Sequence, residues 1–165
     1  MVDTPLVLEH SIEADASPAF AWAFRTDITT WSEPPATFQL DGPFDEGSRG
    51  VTLMPGQEPL AWWIRDVRHG HSFAIEMPLD HATLRFEWHL DAVSETRTKL
   101  THRVILTGHN METYRKQVEA GFRTNLAAGL EKMAQSMAAA ENTARTRAGS
   151  HRGSQPSSSN GPADA

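Results

Sequence analysis

The sequence predicts an α+β domain: a seven-stranded antiparallel sheet curled around a long C-terminal helix, with two short helices after the first strand. Three observations predict it. Residues 81–92 alternate strictly, with Ala82, Leu84, Phe86, Trp88, Leu90 and Ala92 on one side and His81, Thr83, Arg85, Glu87, His89 and Asp91 on the other. That is the period of a strand with one wet face. Beyond His109 the apolar residues recur at steps of three and four, the period of an amphipathic helix. At residue 141 the composition changes abruptly.

The elements follow in order. Leu6, Leu8, His10, Ile12 and Ala14 share one face of a first strand, opposite Val7, Glu9, Ser11 and Glu13. Ser17-Pro18 reads as a helix start, serine as cap and proline at the first helical position. The short helix carries Phe20, Trp22 and Phe24, and a second helical turn over Asp27–Trp31 stops at Pro34-Pro35. Strands are expected at 37–40, 50–54, 60–67 and 72–77, punctuated by Gly42-Pro43, Pro55-Gly56, His69-Gly70 and Pro78. After the strand at 81–92, the turn Ser94–Arg97 leads to a last strand over 99–109, with Leu100, His102, Val104 and Leu106 on one side. Tyr114, Val118, Phe122, Leu126, Leu130, Met133 and Met137 then form the stripe of one helix from Met111 to about Ala140, with Asn110 as its cap.

Of the 64 hydrophobic residues in the 165, the last 25 hold only four, all alanine. The expected organisation is therefore one domain over 1–140 and a disordered polar tail over 141–165. The chain carries a formal charge of −6, and with only three lysines it offers no electrostatic footprint for nucleic acid. No apolar run reaches the ~18 residues of a membrane span, so no membrane insertion is expected. The N-terminus lacks the basic and apolar regions of a signal peptide, and there is no cysteine. Both point to a cytoplasmic location.

Short turns make the sheet antiparallel, and the long helix is the element able to cover its apolar faces. At this point the chain resembles the SRPBCC (START/Bet v1-like) superfamily, the helix-grip fold, and its polyketide cyclase/dehydrase-like branch. The resemblance spans about residues 6–140. It rests on Ala16-Ser17-Pro18 followed by Trp22, on Asp27 and Trp31, and on Gly42-Pro43-Phe44 with Gly47 and Gly50. Thr96-Arg97-Thr98, Thr101-His102-Arg103-Val104, Leu106-Thr107-Gly108 and the long final helix complete it. The resemblance implies a sheet–helix cavity that binds a small hydrophobic or aromatic molecule. It also implies cyclisation or dehydration of that molecule by acid–base chemistry, as in polyketide cyclases. The alternatives within the same fold are a non-catalytic carrier of a hydrophobic ligand and a chaperone-associated interaction module that uses an exposed face.

Two histidines fall on the apolar side of their strands. The resemblance makes the first and last strands antiparallel neighbours, which sets His10 and His102 opposite or diagonal to one another on the cavity face. Such a pair can supply a general acid and a general base, one imidazole held neutral by desolvation and mutual repulsion. It can equally be two satisfied structural groups. Trp62, Phe73, Phe86, Trp88 and Phe122 are expected between sheet and helix, as a cage for a flat ligand or as core. Asn125, between Gly121 and Gly129 at steps of four, faces either the pocket or the wet edge of the helix. The two helical glycines point to close packing or cavity space there.

No metal or other cofactor is expected. In His69-Gly70-His71 the glycine marks a hairpin turn and no third ligand has a defined spacing. Gly-x-Ser-x-Gly and a phosphate-binding glycine loop are absent. Arg65 and Asp66 end a strand of uncertain parity, so either could reach the cavity mouth, while Glu87 and His89 belong to a solvated face. The oligomeric state, monomer or homodimer, is left open.

Overall fold

The computed structural model describes residues 4–151. Strands β1 (Leu6–Ala14), β2 (Thr37–Leu40), β3 (Arg49–Leu53), β4 (Leu60–Arg68), β5 (Ser72–Leu79), β6 (Ala82–Ala92) and β7 (Thr98–Thr107) form one seven-stranded sheet. Its order is β1-β7-β6-β5-β4-β3-β2, every pair antiparallel. Helix α1 (Pro18–Arg25) and a 3-10 turn (Ile28–Thr30) connect β1 to β2, and α2 (Met111–Phe122) and α3 (Asn125–His151) follow β7. This is the helix-grip architecture that the alternation and the helical stripe predict.

Parity decides the core. Ala82, Leu84, Trp88 and Leu90 of β6 and Leu100, Val104 and Leu106 of β7 are buried on the concave face. Val118, Leu126, Leu130 and Met137 close over them from the helices. Gly108 ends β7 with φ +112°, and a Cβ there would come 2.6 Å from the Ala82 Cα, so the strand exit accepts only glycine.

The convex face is not simply solvated. Arg85 binds Glu76 and Asp66, each at 2.6 Å, and Arg103 binds Glu9 at 2.9 Å and Glu87 at 3.4 Å. Glu87 keeps only 13% of its side chain exposed, because arginines lie on both sides of it. A bulge between Arg65 and Arg68, with Asp66 at φ +52°, directs Asp66 to this outer ladder rather than to the cavity mouth.

One burial pattern and two boundaries differ from expectation. First, the buried positions of α1 are Ala21 and Arg25, four residues apart, while Phe20, Trp22 and Phe24 are each partly buried. A step of two does not define a helical face.

Second, the expected single helix is broken after Phe122. The Asn125 side-chain amide donates to the Gly121 carbonyl at 3.0 Å, taking the acceptor that its own backbone N–H would use in an unbroken helix.

Third, α3 continues through residue 141 to His151. Glu141 is buried and accepts a hydrogen bond from the Ser17 backbone N–H at 2.8 Å. Low hydrophobicity did not prevent order here, because a polar contact and helix continuation supply it. The remainder of the expected tail, 152–165, lies outside the described residues. Among the described residues no helix is long and apolar enough to cross a membrane.

Candidate functional site

The sheet register sets one row of side chains across four strands. Phe73 of β5 is opposite Trp88 of β6, Trp88 is opposite His102 of β7, and His102 is opposite His10 of β1. Directly paired residues project to the same face. The row therefore crosses the concave side from its buried middle to its β1 edge.

His102 lies in the interior end of this row. Its imidazole stacks on the Trp88 indole, with ring centroids 4.1 Å apart and an interplanar angle of 17°. Phe86 flanks it at 6.2 Å. The Nε2 atom is buried and has no hydrogen-bond partner among the described residues. Burial, and after it the charge of Arg25, pull the imidazole down to about 3, so His102 is neutral at physiological pH. Sequence reasoning expected the second histidine to be the repelling charge; the neighbour that acts is an arginine.

His10 sits directly across the ladder but is exposed, because β1 is the edge strand and the helix pair breaks beside it. It lines a cleft of about 280 Å³ between β1 and the α2–α3 junction, with Leu8, Arg123 and Leu126 among the other walls. The two histidines are thus brought together by register and separated by environment.

Arg25, at the end of α1, reaches into the same interior. Its guanidinium carbon lies 4.0 Å from the centroid of Trp88 and 4.6 Å from that of Trp31. Phe73 is more distant, at 5.9 Å. The Trp31 indole N–H donates to the Arg25 carbonyl at 3.0 Å, so one side chain both caps the helix end and stacks on the cation. The residue is buried, its Nε has no partner, and it forms no ion pair among the described residues. Burial lowers the guanidinium to about 9 against the opposing charge of Glu33, which leaves it charged at neutral pH.

The other expected residues divide. Trp62 is buried, with its indole N–H on the Thr52 hydroxyl at 3.0 Å and its ring at 5.7 Å from Trp31. Its cross-strand partner is Gly50, where a Cβ would fall 2.1 Å from the indole. Phe73 packs edge-on against Phe44 at 4.9 Å and Trp22 at 6.0 Å. Phe122 meets Phe86 at 5.5 Å. Asn125 is exposed at the helix junction and is not in the interior. Gly121 and Gly129 have nothing within 4 Å of an added Cβ, so close packing does not explain them.

Arg25 and Trp31 were not expected at the site. The signal for Arg25 was present as its four-residue spacing from Ala21, the small residue on the buried face of α1. Trp31 enters the resemblance, but no local pattern assigns it to the interior, because its place depends on the path of the connection to β2.

With this geometry in view, the chain can be set beside known proteins. No protein-family model matches it, and no curated protein matches its sequence. Solved structures do. Norcoclaurine synthase from Thalictrum flavum, in complex with dopamine and hydroxybenzaldehyde, is 15% identical over 80% of this chain and 86% of that one, with a TM-score of 0.61. The Zhui aromatase/cyclase from a Streptomyces species is 15% identical over 81% and 94%, with a TM-score of 0.63. A protein from Thermobifida fusca is 17% identical over 79% and 92%, with a TM-score of 0.64. At these identities the likeness is one of fold. The chain has the Bet v1-like helix-grip fold, which norcoclaurine synthase and the Zhui aromatase/cyclase share.

Proposed function

We propose that the protein binds a small hydrophobic or aromatic molecule between the concave sheet face and the helices, and acts on it by acid–base chemistry at His102. The observation that carries this reading is the buried His102 Nε2, which lacks a partner and sits on the face of Trp88. A buried polar atom left open in an aromatic wall is costly until water or a ligand satisfies it, and a ligand that supplies a polar group there gains by doing so. The fold neighbours support the class of molecule, since one is described with two aromatic compounds and another as an aromatase/cyclase.

In a cyclisation or dehydration, the neutral imidazole takes a proton from carbon next to a carbonyl and returns one to the departing hydroxyl. An imidazole held near 3 is a weak base in the empty protein. Negative charge developing on the substrate beside it raises its basicity at the moment of transfer. In this reading His10, next in register and open to the cleft, exchanges that proton with water; its place opposite His102 supports the role.

The test is a titration of aromatic and polyketide-like compounds followed by tryptophan emission, then turnover of whichever binds. His102→Gln is expected to retain binding and lose turnover by 100-fold or more, on the order of ~10² for a lost general base. Full turnover in both His102→Gln and His10→Ala overturns the acid–base role. Binding without turnover in the unsubstituted protein identifies a carrier.

A further inference from the structure

Arg25 poses a problem that packing alone does not solve. A guanidinium carries five N–H donors and a full charge, yet this one is 8% exposed and has no ion pair among the described residues. The acidic group acting on it, Glu33, is itself exposed. Two indole faces recover part of the lost hydration through cation–π attraction. Taking the charge out of water costs more than such contacts return, so the balance is unfavourable without a counter-charge. Among the described residues the Nε has no hydrogen-bond partner, and neither has the neighbouring Nε2 of His102, on the other group that stacks on Trp88. Two open polar groups thus share one aromatic wall, and one of them is a cation.

We propose that Arg25 and His102 together receive the carboxylate of a planar aromatic acid, Arg25 pairing with its oxygens and Phe73 and Phe86, which flank the two groups, lining the flat body of the ligand. This rests on the ligand-binding reading above and sharpens it from an aromatic molecule to an aromatic acid. Guanidinium geometry suits the planar two-oxygen group, and an interior site makes each charge-assisted bond stronger than in water. His102 contributes an N–H from Nε2 once the anion is beside it.

The experiment compares 2-naphthoate with its neutral isostere 2-naphthamide on the full chain, by tryptophan emission and by calorimetry, and repeats both with Arg25→Gln. The unsubstituted protein is expected to bind the acid at least tenfold more tightly than the amide. Arg25→Gln should lose that preference while keeping its affinity for the amide. Equal affinity for acid and amide in the unsubstituted protein overturns the anion site and leaves the pocket reading standing. Binding of neither compound removes both. An acid preference that survives in folded Arg25→Gln overturns the assignment to Arg25. The comparison within the unsubstituted protein decides the matter even where the variant fails to fold.

Discussion

Glu141 and Ser17 are 124 residues apart in the chain, yet the carboxylate of one accepts the backbone N–H of the other at 2.8 Å. Ser17 is the cap of α1, so the last helix ties down the entry to the helix that carries Arg25. Burial by itself would raise the Glu141 carboxyl, but the Ser17 backbone and hydroxyl and Arg145 together hold it below its ordinary value. Glu141→Ala should therefore destabilise the fold by about 1–2 kcal/mol, the scale of a lost charge-assisted bond to a part-buried donor. A melting temperature unchanged at neutral pH would show that the tether contributes nothing.

His102 should impose an acid limb on stability. Its folded value, about 3, lies below the ordinary 6.5 of an unfolded histidine. Below 6.5 the unfolded chain takes up a proton that the folded chain refuses. The stability is thus full above 6.5 and is lost as pH falls toward 3, by on the order of 1 kcal/mol per pH unit. Denaturant midpoints measured from pH 7 to pH 4 should fall along this limb, and His102→Gln should flatten it. Glu141 adds its own loss only lower, as pH falls through its depressed folded value. Parallel curves for the two proteins would rule out His102 as the source.

Arg25→Met should raise the stability of the ligand-free protein. The substitution removes a buried charge that lacks an ionic partner and keeps an unbranched chain of similar volume between Trp31 and Trp88. A gain of about 1 kcal/mol corresponds to roughly 2–4 °C in a domain of this size. The gain should widen below pH 6.5, because removing Arg25 also removes one cause of the low His102 value. A large drop in melting temperature instead would mean that the indole–guanidinium stack outweighs its desolvation.

Gly50→Ala should be among the most damaging single methyl additions available. The new Cβ would lie 2.1–2.3 Å from ring carbons of Trp62, a buried indole with no free direction to move. Overpacking of this kind costs typically about 1–3 kcal/mol, and displacement of Trp62 disturbs Trp31 and hence Arg25. Thermal melting and near-ultraviolet circular dichroism read both effects. An unchanged aromatic signal would contradict the packing described.

Period-two alternation is a local property, and it placed the seven strands and the concave face directly. The resemblance supplied which strands pair, and the register then set His10 against His102 as expected. What no local pattern reports is how far the covering layer extends. His10 and His102 share parity, but the α2–α3 break leaves one exposed while the other is buried. That break turns on a side-chain hydrogen bond from Asn125, a residue whose helical spacing alone suggested a pocket position. Arg25 escaped notice because its charge argued for solvent, although its spacing from Ala21 argued for burial. Charge and periodicity disagreed, and tertiary packing decided for periodicity.

The ionic ladder on the convex side has an evolutionary consequence. Arg85 and Arg103 lock β6 and β7 to their neighbours from outside, while β5, β6 and β7 share a strict register. Leu84, Phe86, Trp88, His102 and Val104 each lie one residue from an outward ion-paired side chain, so drift at the centre of these strands is constrained on both faces. The connection from α1 to β2 carries no such double obligation. Divergence in specificity among descendants of this chain should accumulate between Pro18 and Phe44, around an unchanging sheet.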